Sequence, residues 1–442
     1  MIKFPKLVFR KSIPVIGTDK QDIGRVSVQV ARELVKTNHA EILNNHPSVI
    51  GLRHIGNRTA SPNRVVLSSP LKNLIHTASL FAAKSSRMTI LNSILFKMVG
   101  GKLCVMATDL ESYFIGCLES GANYSFSKDE GIDAVCINAK HLSKILSSQN
   151  NNFSLHIAKG KDTPAIRMGE FFVEGEDASG FPDIQLHKKE NRVYKGTITD
   201  IATKLNFVVR ALSTNKYRSA LCGINFDFNR QQLVGSDGNR MHAVPMVDPG
   251  VKGLCKGNKN AIVPPSVMHV AKLLTGDVKI VDNGEHQYAI FNLNVAGCLD
   301  CVTGYNTIEG EYPRYWEVVP QHFRNKFTVK TKDLMPILYK AQISNTSDTD
   351  STPVLAEFGN GYLQITTKVG GRIVFQRKVQ GIYSGPLYSC VINVSYLIDA
   401  IHSMPGDSID ILLQSKKDEA WTLKNNSGYT SVIMPIEIET TK

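Results

Sequence analysis

The chain has no apolar run approaching the roughly 18 residues that a membrane-crossing helix needs. Its N-terminus, MIKFPKLVFRKSIPVIG, meets Arg10 and Lys11 before a signal-like apolar core can form, and Asp19, Asp22, Glu33 and Glu41 argue against a transit peptide. Glycine-rich GK[ST] loops, G-x-S-x-G elbows and H-E-x-x-H pairs are missing, which removes the commonest phosphate-binding, serine-hydrolase and zinc-protease readings. The histidines are dispersed, with no pair at i, i+4. Cysteines are scattered singly except for Cys298 and Cys301, a lone CxxC without a second pair. That distribution predicts buried reduced thiols, not a disulfide framework. Asp109 and Glu111 form an isolated carboxylate pair with no third acid nearby, a weak metal site for a nuclease. No cofactor, no metal and no catalytic residue is expected, and the expected location is the cytoplasm.

What is present is ordinary globular material: 442 residues, 42% hydrophobic and 20% charged, enough for two to four domains. The net charge of +12 suggests a nucleic-acid partner, but it is unevenly spread. Residues 1–64 hold 11 Lys+Arg against 4 Asp+Glu, and the rest of the chain 40 against 35. Charge alone therefore does not identify a DNA binder; its placement must.

Repeats decide the fold. One layout occurs three times: an amphipathic helix, a hairpin, a second helix and further strands. The first copy reads LKNLIHTASLFAA, ILFKMVGGKLCVMATD, INAKHLSKILSSQ, then FSLHIA, AIRMG and EFFVEGEDA. The second opens with Ile198, Ile201, Leu205, Val208 and Leu212 on one helical stripe, turns at Asn229–Gln232, and continues through PPSVMHVAKLLTG. The third reads TKDLMPILYKAQIS, VLAEFGNGYLQITTK and NVSYLIDAIHSMPG, with Gly359-Asn360-Gly361 as a hairpin signal. These copies predict an α+β fold of three repeated domains at 66–186, 187–321 and 322–442, each with two helices packed on antiparallel sheet. Residues 1–65 read as an extension, a small strand–helix–strand module plus a polar linker.

The helix faces turned away from the sheets, with the turns beside them, carry Lys72, Lys84, Arg87, Lys140, Lys144, Lys204, Arg210, Lys216, Arg218, Lys272 and Lys340. Lysines dispersed in this way suit sequence-independent contact with phosphates, although they also suit plain solvated helix faces.

Five stretches carry a family resemblance: ALSTNKYRSALCGINFDF (211–228), LVGSDGNRMHAV (233–244), EYPRYWEVVP (311–320), NVSYLIDAI (393–401) and SVIMPIEI (431–438). With ATDLE (107–111) and FPDI (181–184), they resemble the bacterial DNA polymerase III beta sliding clamp, collinearly over about residues 65–440. The resemblance implies a processivity factor without chemistry of its own. Its protomers would join head to tail as a homodimer, encircling duplex DNA and tethering the replicative polymerase after a clamp loader has placed it. It implies DNA-clamp domains whose seam positions are Phe171, Val173 and Ile343, residues that equally suit a core. It implies a partner-peptide pocket between domains two and three at Leu221, Ser236, Gly238, Arg240, Met241, Pro313, Val318, Tyr396, Val432, Ile433, Met434, Pro435 and Ile436. Taken alone, SDGNR is only a tight turn with an exposed arginine. Two other readings stay open: a metal-dependent nuclease on a repeated scaffold, and a monomeric relative that sequesters partner peptides.

The sequence departs from the family where Ser236 and Asn239 stand for its usual Thr and His, and where the acids Glu317 and Glu437 stand at positions commonly basic. Acids at the rim of a peptide cleft change the choice of partner more than the fold. They fit a clamp dedicated to its own polymerase, as a phage or other mobile element would encode. The basic residues 1–65 lie outside the resemblance and read as an extra DNA or partner contact, or as an appendage of unrelated purpose.

Overall fold

The computed structural model describes residues 69–121, 124–149, 153–184, 192–248, 255–256, 260–282, 286–345 and 352–436, together with four strands in the N-terminal region. The chain forms two compact units, Met1–Leu67 and Ser68–Lys442. In the first, strands Asp22–Val26, Ile13–Ile16, Ile50–Leu52 and Ala40–Ile42 lie side by side in that order, the middle two parallel. Two of them bracket the expected helix, which falls outside the described residues. The outer pair in sequence, Ile13–Ile16 and Ile50–Leu52, was not expected.

The second unit has the repeated α+β architecture. Its helices are Pro70–Ser79, Ala139–Ser148, Ile201–Val209, Thr331–Ile343 and Val394–Ser403. Pro70 occupies the first turn of its helix, where its missing N–H costs nothing, and Leu71, Leu74, Ile75 and Ala78 form the buried stripe. Asn138 caps the next helix by accepting from the N–H groups of Lys140 and His141, and Asn393 caps the last through Ser395 N–H. The second helix of the middle repeat, Pro265–Leu273, is 3-10 instead of α. Two prolines start it, and Val267, Val270 and Leu273 recur at the three-residue period of that helix.

Two sheets of nine strands each run across repeat boundaries. In one, Leu299–Asn306 of the second repeat pairs with Ser112–Leu118 of the first; Gly304 lies opposite Tyr113 and Thr303 opposite Phe114. In the other, Arg240–Pro245 of the second repeat pairs with Thr430–Ile433 of the third, with Arg240 opposite Ile433 and Met241 opposite Val432. Two four-stranded sheets remain separate, one per outer repeat. One ends at the strand Phe171–Glu174 and the other at Arg372–Gln380. Pairing is antiparallel throughout this unit except between Phe153–Lys159 and Tyr124–Lys128. The helices pack on the sheets, and those of the second and third repeats touch each other at Ile201–Val209 and Val394–Ser403.

One expectation about cysteine fails. Cys104 and Cys117 sit opposite each other on adjacent antiparallel strands, Cα atoms 4.2 Å apart, and are joined by a disulfide. The pairing comes from hairpin register, which residue spacing alone conceals. Cys136, Cys222, Cys298, Cys301 and Cys390 are free thiols, and no helix among the described residues is long and apolar enough to cross a membrane.

Candidate partner-peptide cleft

The junction between the second and third repeats is built on the Arg240–Pro245 and Thr430–Ile433 strands. Below its surface lies a separate apolar cluster including Leu221, Val234, Met241, Tyr312, Tyr315 and Val432. Above it, two clefts open side by side. The first, of about 540 Å³, is lined by Leu221, Gly238 and Pro313 with Tyr217, Arg218 and Ala220. The second, of about 480 Å³, is lined by Arg240 and Tyr396 with Leu212, Asp237, Asn239 and Asp399. Arg218 borders both.

The turn between the strands Gln232–Ser236 and Arg240–Pro245 shapes this surface. The Ser236 hydroxyl donates to Arg240 O (2.7 Å) and accepts from Gly238 N–H (3.1 Å). Gly238 sits at φ +95°, and a Cβ there would meet Arg218 Nη1 at 2.9 Å. The backbone thus favours glycine here, while the flexible Arg218 side chain could move aside for a larger residue. Arg240 is held in a fixed place: Nε to Asp237 (3.0 Å), Nη1 to Asp399 (2.6 Å), and its guanidinium 4.2 Å above the Tyr396 ring. Asp399 also meets Arg210 at 3.4 Å, so one carboxylate of the third repeat ties down two arginines of the second. Beneath them His242 is fully buried and stacked 4.5 Å from Phe207. Burial pushes its pKa down to about 4, aided by Arg240 and Arg210, while its bond to Phe207 O and the Asp399 charge oppose the shift.

Of the pocket positions expected from sequence, Leu221, Gly238, Pro313, Arg240 and Tyr396 line the clefts, and Ser236 shapes the turn. Met241 and Val432 are floor residues, 3% and 4% exposed. Val318 and Met434 are exposed, and Pro435 and Ile436 half-buried. Ile433 does not belong: alternation along its strand turns it into the main core, fully buried. Glu437 lies outside the described residues. Asp237 and Asp399 were missed, though Asp399 follows Tyr396 by three residues on one helix, a spacing that places both on one face.

Among the expected phosphate contacts, Lys84, Arg87, Lys140, Lys144, Lys216, Arg218, Lys272 and Lys340 are exposed. Lys84 and Arg87 stand in the loop after the first helix, not on its face. Lys72 donates to Gln149 O at the end of the neighbouring helix, and Arg210 is half-buried against Asp399. Lys204 is wrong: it is 1% exposed, and its ammonium is used by Asp248 (2.7 Å), Thr199 (2.7 Å) and Met246 O (3.2 Å). A buried charge needs partners, and the protein supplies them internally. On the outer strand Phe171–Glu174, Phe171 and Phe172 are exposed and Val173 points into the core, while Ile343 is exposed at the end of its helix. Asp109 accepts from Glu111 N–H, Ser112 N–H and the Ser112 hydroxyl, so its carboxylate caps a turn. Among the described residues no three His, Cys, Asp or Glu side chains gather as metal ligands.

A row of repeated α+β domains with sheets continuous across their boundaries, and a peptide-sized cleft at one boundary, is the architecture of a DNA clamp. No family model matches the chain. It is 23% identical over 335 residues to the beta sliding clamp of Proteus mirabilis, covering 74% of this chain and 86% of that protein. To the beta sliding clamp of Halalkalibacterium halodurans it is 24% identical over 360 residues, covering 77% and 90%. A solved DnaN sliding clamp (DNA polymerase III subunit beta) from Bartonella birtlesii, bound to griselimycin, superposes with a TM-score of 0.70 at 18% identity, covering 84% of this chain and 98% of that one. The chain is similar to bacterial beta sliding clamps in sequence and has their fold.

Proposed function

We propose that this chain is a sliding clamp: a ring without catalytic activity that encircles duplex DNA and holds a DNA polymerase to it through the cleft between the second and third repeats. The observation that carries the reading is the state of the sheets. Both inner boundaries are sealed by continuous nine-stranded sheets, while the first and third repeats each keep a separate four-stranded sheet whose end strand, Phe171–Glu174 or Arg372–Gln380, has one side unpaired among the described residues. Open edges with Phe171, Phe172, Ile373 and Val374 exposed invite a partner strand. Their charges are opposite, Glu170 and Glu174 at one end against Arg372, Arg377 and Lys378 at the other. Such edges favour heterologous, head-to-tail pairing, which closes into a ring of two protomers. We take the repeats as 66–186, 187–321 and 322–442. Lys84, Arg87, Lys140, Lys144, Lys272 and Lys340 would face the duplex, and Phe171, Phe172 and Ile343 the seam. The cytoplasm, where replication proceeds, is its proposed location.

The test combines mass and topology. The protein should sediment as a dimer and, once loaded, remain on nicked circular DNA but run off the same DNA after linearisation. Equal retention on both forms, or a monomer at micromolar concentration, would refute it.

A further inference from the structure

Past the first cleft, the chain leaves the Leu299–Asn306 strand and crosses a short ridge, Glu309-Gly310-Glu311. Gly310 and Glu311 line the first cleft on one side of this ridge and a second, larger hollow of about 760 Å³ on the other. The ridge is anchored at its start, with Ile308 N–H bonded to Ile262 O at 2.8 Å. On the far wall Arg230 lies 3.3 Å over the Trp316 ring, backed by Asp227, whose carboxylate also takes the Tyr315 hydroxyl at 2.9 Å. Both hollows are thus built of ordered walls, and the ridge is shared.

The charges of the outer hollow are unequal. Asp227, Asp282, Glu309, Glu311 and Glu317 stand in or beside it against Arg230 and Arg314. Arg230 is directed at Asp227 and Arg314 at Glu317 (3.4 Å), so neither reaches the ridge acids. Glu309 and Glu311 are exposed and form no ion pair among the described residues. Asn229 and Asn260 line the same hollow and offer donors and acceptors to a polypeptide backbone.

Building on the proposed peptide cleft, we infer that the partner segment does not stop there: it continues over Gly310 into the outer hollow and carries basic side chains that meet Glu309 and Glu311. The partner is therefore a linear protein segment with an apolar anchor followed by a Lys/Arg-rich flank. Rim charges of this kind set which partner is chosen, more than how tightly the anchor is held.

Two fluorescent synthetic peptides sharing one Leu-Leu-Phe anchor, one flanked by lysines and the other by glutamates, test this by anisotropy on the full chain. The lysine-flanked peptide should bind about fivefold tighter at low salt, the scale of two exposed ion pairs. High salt, or the double substitution Glu309→Gln with Glu311→Gln at exposed positions, should shrink the difference to less than about twofold. An unlabelled peptide of the anchor alone should displace both. If both are displaced but bind equally, or the glutamate flank binds tighter, the inference fails while the cleft reading survives. If the anchor peptide displaces neither, the cleft reading fails and takes the inference with it.

Discussion

Replacing His242 by phenylalanine separates one buried titration from all the others in the chain. The imidazole is completely enclosed, bonded through Nδ1 to Phe207 O (2.7 Å), and its pKa is pushed down to about 4. An unfolded chain regains the ordinary value of about 6.5. Between those values the unfolded state binds a proton that the folded state refuses, so stability is full above about pH 6.5 and falls with acidification towards pH 4, then levels off. At about 1.4 kcal/mol per pH unit over some 2.5 units, the loss amounts to about 3.5 kcal/mol. The carboxylates held low, Asp129, Asp133, Asp177 and Asp248, lose their contribution from about pH 5 downward and so add only at the acid end of this window. Trp421 is a suitable reporter: it is fully buried on the strand next to Thr430–Ile433, which pairs with His242's own strand. Urea unfolding followed by its fluorescence should give midpoints that drop steadily from pH 7 to 4.5. His242→Phe should lower the midpoint at pH 7.5, since Phe207 O loses its donor at a cost of about 1–3 kcal/mol. The same variant should flatten the acid slope. An unchanged slope in the variant would show that another group drives the acid response.

The edge, lysine and cleft assignments give four further tests. Phe171→Ala with Phe172→Ala should shift sedimentation from dimer towards monomer, at about 1 kcal/mol per half-exposed ring at each seam. Lys140→Glu with Lys144→Glu should shorten retention on circular DNA and make the salt dependence shallower by about two phosphate contacts, measured as run-off against salt. Lys204→Ala should leave retention unchanged while lowering thermal stability by about 1–3 kcal/mol, because Asp248, Thr199 and Met246 O lose one shared donor. Gly238→Ala should preserve the fold but weaken binding of an apolar peptide, roughly tenfold by titration. The positive φ costs about 1–2 kcal/mol, and Arg218 must move from between the clefts.

Periodicity made the repeats legible because each helix buries a single stripe: Leu71, Leu74 and Ala78 in the first repeat, Ile201, Leu205 and Val208 in the second. Hairpins were legible where glycine supplies positive φ, at Gly100-Gly101 and Gly361. Lys204 was not, since a lysine on a helix gives no sign that Asp248 lies 44 residues ahead, ready to receive it. Strand alternation could have moved Ile433 and Val173 indoors, but only once the register of each strand was known. The Cys104–Cys117 bond and the Asp399 bridge are likewise long-range products of pairing, and their spacing in sequence carries no signature.

The two sealed boundaries are made alike, and clefts open beside the second. At the first, Gly304 faces Tyr113, and a Cβ on that glycine would lie 2.3 Å from the ring, so the tyrosine covers the glycine's empty side. Gly116, on the tyrosine's strand, is closed in by Leu74, Phe114 and Cys301. Aromatic and aliphatic groups therefore fill the first boundary. The turn before the paired strand is built alike at both boundaries, Asp109 and Asp237 each accepting from the N–H groups two and three residues ahead, and the places of Tyr113 and Gly304 are taken at the second by Met241 and Val432. The difference between the boundaries thus lies in the side chains at the step, a tyrosine packed over a glycine in one case and Met241 beside Val432 in the other, and not in the turn or the sheet continuation that both share.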